Sequence, residues 1–361
     1  MPVLPLIADP ASYRPCIQDL LADGPEVRDY WLTLFEEHVQ TLAKLPIGGA
    51  LLCDQQPWPA FRRDYLAGLA ELRARPDLRG RLTVLELTVY REEMFAAHGI
   101  HDPFRDLKTR ENELALRLAP ALLREIDDAP PTQRGLLLVR GLFAGNLFDM
   151  GSRAVVSAFE EGLFDFAAAR AGVRSRPWPI DDFDAWAHRL GEARPVYRQA
   201  LFFVDNAGPD VVLGAVPLAR ELARAGTCVV LAANSKPALN DVTADELHQL
   251  LGRMRSLDSL IDALLRDDRI AVVPTGCESP LIDLSCLTPE CCRAAAESDL
   301  LILEGMGRAV ESNFDARFNV DTLKLALIKD KMVARILSVD LLDPVFRFEP
   351  LNSRPDGGQP I

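Results

Sequence analysis

Two apolar segments of this sequence are followed by polar side chains that can bind a metal ion. Asp205 and Asn206 come directly after the run FFV, and Asp241 lies beyond the next apolar run, in LNDVT. Carboxylate and amide oxygens are ligands that Mg²⁺ and Mn²⁺ accept, and there is no matching set of histidines for zinc. Two carboxylates packed together repel each other unless a cation lies between them. These residue types indicate a site for a divalent cation.

Cationic and polar residues follow further apolar segments. Ser235 comes after the second segment, Glu304 and Arg308 belong to EGMGR after a third, and Lys329 ends LKLALIK. Arg308 and Lys329 have the donors needed to hold phosphate oxygens. A divalent cation combined with fixed cationic donors is the equipment of metal-assisted phosphoester hydrolysis.

The same residues also have a simpler interpretation. An Asp-Asn pair after a strand often caps the following helix or forms an Asx turn. Asp241 can be part of a turn before the helix cap at Thr243, and Glu304 can be an ordinary ion-pair partner. A single Lys329 is most often solvated. The residue types alone therefore leave both interpretations open.

The elements that carry these residues alternate between strand and helix from about residue 136. Short apolar strands between amphipathic helices predict an α/β fold with a mainly parallel sheet covered on both faces. In such sheets the ligand crevice lies beyond the carboxyl ends of the strands, where the polar residues occur. The predicted strands are 199–205, 227–234, 270–276, 299–305, 324–329 and 345–350. Two helices are predicted between them. The first covers 210–226 and is ended by Gly226, and the second covers 244–254 and begins with a capping box of Thr243 and Glu246.

The region before residue 136 has helical periodicity and few strand signals. Apolar residues recur at three- and four-residue intervals in 27–45, 60–75, 81–99 and 111–129, and Pro120 is expected to kink or divide the last helix. We predict a helical bundle or cap over residues 1–135, an α/β domain over 136–350, with a glycine-rich loop near 141–151, and a flexible tail over 351–361.

The composition excludes several classes of partner. The 361 residues have a formal net charge of -13, which argues against nucleic acid or an anionic membrane surface as the main partner. No secretory signal and no apolar run long enough to span a membrane are expected. Seven cysteines without a CxxC pair indicate reduced thiols and a cytoplasmic protein. A zinc site from Cys277, Cys286, Cys291 and Cys292 is disfavoured because adjacent cysteines chelate a tetrahedral ion poorly.

The motifs together resemble a known family. FFVDNAGPDVVLGAVPLARELARAGTCVVLAANSKPALNDVT and LLILEGMGRAVESNF are similar to the metal-dependent damage-control phosphatases, also called domain of unknown function 89. EGMGR marks the subgroup that includes the C-terminal phosphatase domain of animal pantothenate kinase 4. The similarity extends through DPFRDLKTRENELAL, GLFAGNLFDMG and LKLALIKD, over roughly residues 100–348. The resemblance implies a three-layer α/β/α sandwich with an added helical bundle.

The resemblance also implies an activity and a set of site residues. The implied activity is the hydrolysis of 4'-phosphopantetheine, and especially of its oxidised or damaged forms, a small phosphorylated metabolite. The implied cofactor is a divalent metal ion, Mn²⁺, Co²⁺, Ni²⁺ or Mg²⁺. The implied metal ligands are Asp205, Asn206 and Asp241, with Asp205 and Asp241 also catalytic; the implied substrate or phosphate contacts are Asn146, Ser235, Glu304, Arg308 and Lys329.

Some positions fit the resemblance less clearly. Lys108, Glu111 and Asn112 lie in a matching segment, where packing of helix against sheet is an equal alternative. A small residue is expected after Ser235, whereas this chain has Lys236. Other functions considered are a sugar-phosphate phosphatase of the same family and a non-catalytic metabolite-binding protein. A nucleotide- or methyl-donor-binding transferase is disfavoured because no GxGxxG turn follows an early strand.

Overall fold

The computed structural model describes residues 1–147, 165–191 and 196–351. Two sequence predictions fall partly outside these ranges. They are the end of the GLFAGNLFDMG segment, from residue 148, and residues 352–361 of the tail expected to be flexible.

A seven-stranded sheet forms the centre of the described molecule. The described strands are β1 (Pro46–Ile47), β2 (Ala50–Leu51), β3 (Ile180–Asp181), β4 (Gln199–Phe203), β5 (Cys228–Ala233), β6 (Ile270–Pro274), β7 (Leu300–Glu304), β8 (Asp321–Leu327) and β9 (Pro344–Glu349). The large sheet has the order β3-β9-β8-β7-β4-β5-β6, and β1 pairs with β2 separately. All neighbours in the large sheet are parallel except β8 and β9, which are antiparallel. The prediction of a mainly parallel sheet is confirmed.

Burial on both faces explains why these strands are apolar without interruption. Every residue of β7 and β8 is buried. Along β4, Ala200 and Phe202 pack into one hydrophobic cluster, whereas Leu201 and Phe203 pack into the other. Alternate residues of a strand point to opposite faces, so each face needs its own covering layer. The result is the expected three-layer sandwich.

Helices cover both faces of the sheet. They are α1 (Pro25–Leu42), α2 (Trp58–Ala74), α3 (Val84–Ala97), α4 (Arg105–Asp128), α5 (Pro131–Leu147), α6 (Phe166–Gly172), α7 (Phe183–Leu190), α8 (Val216–Arg224), α9 (Ala244–Met254), α10 (Ser259–Arg266), α11 (Pro289–Ala296) and α12 (Lys331–Leu337). Helices α1 to α3, α11 and α12 contribute to the cluster that contains Leu201, and α5 to α10 and most of α4 to the cluster that contains Phe202. None of the described helices combines the length and the apolar character that a membrane span requires.

The helices of the N-terminal region are therefore shared between the two outer layers. The division expected near residue 135 falls inside α5, whose Leu138 and Val139 are buried in the same cluster as the strand residues Ala200 and Phe202. Helix α5 is thus packed as part of the three-layer sandwich.

Helix α4 differs from its prediction. Pro120 was expected to kink or divide the helix, but α4 continues through it from Arg105 to Asp128. Leu116 and Ala119 before the proline and Leu122 and Leu123 after it are all buried in one cluster. Packing of one continuous apolar face outweighs the local cost of a missing N–H group.

Residues 136–147 were expected to end in a glycine-rich loop, but they are helical throughout. The glycines serve close packing instead. A Cβ atom on Gly145 would lie 2.8 Å from Asp210 Cα and 2.9 Å from the Pro209 carbonyl oxygen. Because only hydrogen fits there, α5 can pack directly against the turn that follows β4.

The capping box at the start of α9 is present as predicted. The Thr243 N–H donates to Glu246 Oε2 at 2.9 Å, and the Glu246 N–H donates to Thr243 Oγ1 at 3.3 Å. Both bonds satisfy donors that the first helical turn leaves without partners.

We expect Thr243→Ala to lower the free energy of unfolding by about 1 kcal/mol, because the hydroxyl that accepts from the Glu246 N–H is removed. Urea denaturation followed by circular dichroism measures this change. Thr243→Ser keeps the hydroxyl and should retain most of the stability. Equal losses of unfolding free energy in Thr243→Ala and Thr243→Ser would show that the hydroxyl group of the cap does not stabilise the protein.

Candidate active site

Four neighbouring parallel strands bring their carboxyl ends to one edge of the sheet. Strands β8, β7, β4 and β5 are adjacent in that order. A cavity of about 820 Å³ opens at this edge, and Asp205, Asn206, Asp241 and Lys329 line it together. Residues that are far apart in the sequence thus meet as expected for a parallel sheet.

Helices α1 and α3 supply another part of the cavity wall. From α1 come Trp31, Phe35 and His38, and from α3 come Thr88 and Arg91. The cavity therefore lies between the sheet edge and the helices that precede the sheet in sequence.

The other predicted site residues lie outside the cavity lining. Asn146, Glu304 and Arg308 are buried behind it, with Glu304 and Arg308 each 1% exposed. Ser235 is exposed, and its hydroxyl accepts a hydrogen bond from the Gly276 N–H at 2.7 Å. Direct phosphate contact by Ser235 stays a prediction.

Arg308 joins the two carboxylates that were predicted to bind metal. Its Nη1 donates to Asp205 Oδ1, and its Nη2 donates to Asp241 Oδ2 at 2.8 Å and to Asn234 Oδ1 at 3.1 Å. Burial alone would lower the pKa of Arg308, but the charges of Asp241 and Asp205 raise it above its ordinary value. The guanidinium group therefore remains a cation between two anions.

A second group of acidic side chains lies against Asp205. Carboxylate oxygens of Asp205, Asp210 and Glu304 all lie within 4.8 Å of one another, and all three residues are buried. Asn146 Nδ2 lies near all three, at 3.2 Å from Asp205 Oδ2, 3.1 Å from Asp210 Oδ2 and 3.4 Å from Glu304 Oε1. Asn146 is thus a shared donor for three carboxyl groups.

Burial shifts the pKa values of this acidic group upwards. Burial together with the charge of Asp205 raises the pKa of Asp210 to about 6. Burial and the charges of Asp210 and Asp205 hold the pKa of Glu304 well above its ordinary value. Both shifts arise first from burial, which disfavours the charged carboxylate, and then from the neighbouring carboxylates.

The donor set fits a divalent cation. Asp210 Oδ1 is buried and accepts no hydrogen bond from any described residue. Asn206 Nδ2 donates to Asp205 Oδ2 at 2.9 Å and to Asp210 Oδ2 at 2.8 Å, and no described group donates to Asn206 Oδ1. Uncompensated buried carboxylates and an amide oxygen are the ligands that a hard cation requires.

Access to the cavity distinguishes the two possible ligand sets. Asp205, Asn206 and Asp241 line the cavity, whereas Asp210 and Glu304 lie behind it. Glu304 Oε2 instead accepts a hydrogen bond from the Asp205 N–H at 2.9 Å. The first set is open to the cavity and the second is not, and metal binding by Asp205, Asn206 and Asp241 stays a prediction.

Lys329 lies just beyond the end of β8 and faces the same cavity. Its Nζ donates to the Asn146 carbonyl oxygen at 3.1 Å, which places the ammonium group beside the acidic cluster. Strand β8 ends at Leu327, so Lys329 belongs to the short segment between β8 and α12 and not to the strand predicted over 324–329.

Helix α4 holds the turn after Asn206 in place. Asn112 Oδ1 accepts a hydrogen bond from the Gly208 N–H at 2.7 Å. Lys108 Nζ is buried and contacts Glu246 at 2.8 Å and Asp102 at 3.2 Å. These contacts pack α4 against the turn after β4 and against Glu246 on α9, and a role of the segment in the site stays a prediction.

Lys236 lies at the protein surface, outside the cavity lining. It is exposed and forms an ion pair with Glu278, and it is not among the residues lining the cavity. Its charge is therefore partly balanced at the protein surface.

Two acidic residues of the site were not found from the sequence. Asp210 begins the π-helical turn Asp210–Ala215, and Glu311 ends the π-helical turn Met306–Glu311. An acidic residue at the start of a helix is common, so Asp210 gave no specific signal. Glu311 is buried and lines the cavity; it lies within the segment LLILEGMGRAVESNF, but its residue type and spacing there indicated no particular role.

Comparison with known proteins gives one family over most of the chain. A sequence model of the damage-control phosphatase ARMT1-like domain matches residues 32–345. The damage-control phosphatase At2g17340 of Arabidopsis thaliana is 33% identical, over 90% of this chain and 88% of that protein. A DUF89 family crystal structure from Pyrococcus horikoshii superposes with a TM-score of 0.62 at 18% identity, covering 89% of this chain and 96% of that one, which shows a shared fold.

Longer proteins match as well. "Pantothenate kinase 2" of Arabidopsis thaliana is 39% identical, over 96% of this chain and 42% of that protein. The 4'-phosphopantetheine phosphatase of Mus musculus is 35% identical, over 96% of this chain and 48% of that protein. The chain thus spans less than half the length of these two relatives.

Calorimetric titration with Mn²⁺ tests the choice between the two ligand sets. We expect Asp241→Asn to weaken binding by more than about 100-fold, because a direct ligand is lost, and Glu304→Gln by less, within the ~10–100-fold usual for an outer partner. An equal or larger loss of Mn²⁺ affinity in Glu304→Gln would place the ion in the group formed by Asp205, Asp210 and Glu304.

Substitution of Gly305 tests whether the turn after β7 must lie directly against Asp205. Its φ of +94° suits glycine, and a Cβ atom there would lie 2.8 Å from Asp205 Cβ and closer still to the carboxyl group. We expect Gly305→Ala to abolish Mn²⁺ binding and lower the melting temperature. The matched control is Gly252→Ala on α9, where nothing lies within 4 Å of the new Cβ. Wild-type binding by Gly305→Ala would contradict this account.

Proposed function

Because this chain belongs to the damage-control phosphatase family with an ARMT1-like domain, we propose that it is a metal-dependent phosphatase acting on a small phosphorylated metabolite. We further propose that 4'-phosphopantetheine and its oxidised or damaged forms are the substrates, as the name of the mouse relative suggests. The observation that carries the proposal is the meeting of Asp205, Asn206, Asp241 and Lys329 at one cavity.

Each site residue has a distinct role in this proposal. Asp205, Asn206 and Asp241 would hold the metal ion, with Mn²⁺, Co²⁺, Ni²⁺ and Mg²⁺ as the candidates. When bound, such an ion polarises the phosphoryl group and lowers the pKa of a bound water. Lys329 faces the cavity as a cation and is placed to hold phosphate oxygens.

The buried residues behind the cavity orient the ligands. Arg308 fixes Asp205 and Asp241 relative to each other, and Asn234 Nδ2 donates to Asp241 Oδ2 at 2.8 Å. Glu304 fixes the backbone of Asp205. Groups held in this way need no reorganisation when charge develops on the phosphoryl oxygens, which is the main source of electrostatic catalysis.

The cavity wall supports a substrate with an apolar arm. Trp31, Phe35, Leu281 and Met306 also line the cavity. A volume of about 820 Å³ lies within the range of ~300–1,000 Å³ usual for small-molecule sites. The branched and thiol-bearing arm of pantetheine has apolar groups that can cover these side chains.

A sugar phosphate is the second candidate substrate. Glu37, His38 and Thr41 on α1 also line the cavity and can form hydrogen bonds with the hydroxyl groups of a sugar.

The proposal also includes the cytoplasm as location, since the seven cysteines are free thiols of the kind that a reducing compartment maintains.

Phosphate release measured after EDTA treatment and after addition of Mn²⁺ or Co²⁺ tests the proposal. We expect 4'-phosphopantetheine and its S-sulfonate to be hydrolysed only with metal, and faster than sugar phosphates. Asp205→Ala should abolish this turnover by removing a metal ligand, while the exposed Asp245→Ala on α9 should leave it unchanged. Faster release from sugar phosphates would favour the second candidate, and no release with any metal would refute phosphatase activity.

A further inference from the structure

A buried carboxyl group that has no role in metal or phosphate binding lines the cavity. Glu311 ends the π-helical turn that begins at Met306, immediately after β7 and Gly305. The residue is 6% exposed, and no described residue donates a hydrogen bond to its carboxyl group.

We propose that Glu311 is the general acid of the reaction and that its carboxyl group protonates the alcohol oxygen released from the phosphoryl group. The inference rests on the proposed phosphatase function and assigns one further catalytic residue to the same cavity. Its basis is the placement of an unpaired, buried carboxyl group on the wall shared with Asp205 and Lys329.

The electrostatic surroundings keep this carboxyl group protonated. Burial raises its pKa to about 8, with the charge of Asp330 adding to the effect, the charge of Lys329 opposing it and that of Asp205 contributing last. A carboxylic acid with its proton can donate but cannot act as a base or as an anionic ligand. A donor whose pKa lies near the working pH is the most effective general acid.

The other carboxyl groups and the cations at the cavity are less suited to this role than Glu311. Asp330 Oδ2 accepts the hydrogen bond from Tyr30 Oη at 2.7 Å, and Asp330 Oδ1 accepts from two N–H groups at the start of α12. Arg91 and Lys329 are cations, and Glu37 is exposed to solvent. Asp241 is held by Arg308.

The step balances without a further reactant. Water oxygen forms a bond to phosphorus, and the bond between phosphorus and the alcohol oxygen breaks with its electron pair left on oxygen. That oxygen takes the proton of Glu311. The attacking water releases one proton, and the Glu311 carboxylate regains one from solvent. One water is consumed, and the alcohol and inorganic phosphate are formed.

The leaving group decides whether such a proton is needed. The alcohol of 4'-phosphopantetheine is a poor leaving group and requires protonation, whereas p-nitrophenolate leaves without it. We expect Glu311→Gln, in the metal-loaded full chain, to lower kcat for 4'-phosphopantetheine by about 10²-fold or more and kcat for p-nitrophenyl phosphate only a few-fold. The ratio of the two rates within one preparation does not depend on the fraction of folded enzyme.

Two controls separate this role from other effects. Glu26→Gln, an exposed carboxylate at the start of α1, should keep the wild-type ratio. Equal losses on both esters in Glu311→Gln, or no loss on 4'-phosphopantetheine, would overturn the role of Glu311 while wild-type turnover upholds the proposed function. A wild-type enzyme that hydrolyses neither ester would overturn both.

Discussion

The contact between Arg308 and the carboxylates of Asp205 and Asp241 is the interaction on which the site depends. Isolated carboxylates at this depth repel each other and lose their hydration, and a buried pair with one charge missing is strongly destabilised. The two acids come from loops after different strands, β4 and β5. One guanidinium group therefore fixes both loops with a rigid, two-pronged donor that lysine could not imitate.

The fold supplies the geometry that this contact requires. Strand β7 lies beside β4, and β4 lies beside β5, so the turn after β7 reaches both acidic loops. The turn can pass directly against Asp205 because Gly305 has no side chain. Behind the same loop, Gly145 allows α5 to contact Asp210, which brings Asn146 within reach of three carboxyl groups. Close backbone approach at two glycines thus makes the polar cluster possible.

Sequence reasoning reached the sheet and the cavity-facing residues because both follow from local patterns. Alternating strands and helices predicted parallel strand ends, and Asp205, Asn206, Asp241 and Lys329 do line one cavity there. The roles of buried residues were not accessible in this way. The expected contact of Arg308 with substrate stays a prediction; its hydrogen bonds to Asp205 and Asp241, and the burial of Glu311, are set by three-dimensional packing that no local pattern reveals. The prediction that Pro120 kinks or divides its helix was wrong because packing of the apolar face of α4 outweighed the tendency of proline to break a helix.

The pKa shifts show how the protein tolerates so many acids in one place. Asp205, Asp210, Asp241 and Glu304 meet with one arginine buried among them, so full ionisation would leave unbalanced charge. The raised pKa values of Asp210 and Glu304 mean that protons there replace part of the missing positive charge. A divalent cation bound there would provide the same charge in another form, since metal binding at carboxyl groups is coupled to proton release. Arginine, protons and metal are therefore linked means of balancing one acidic cluster.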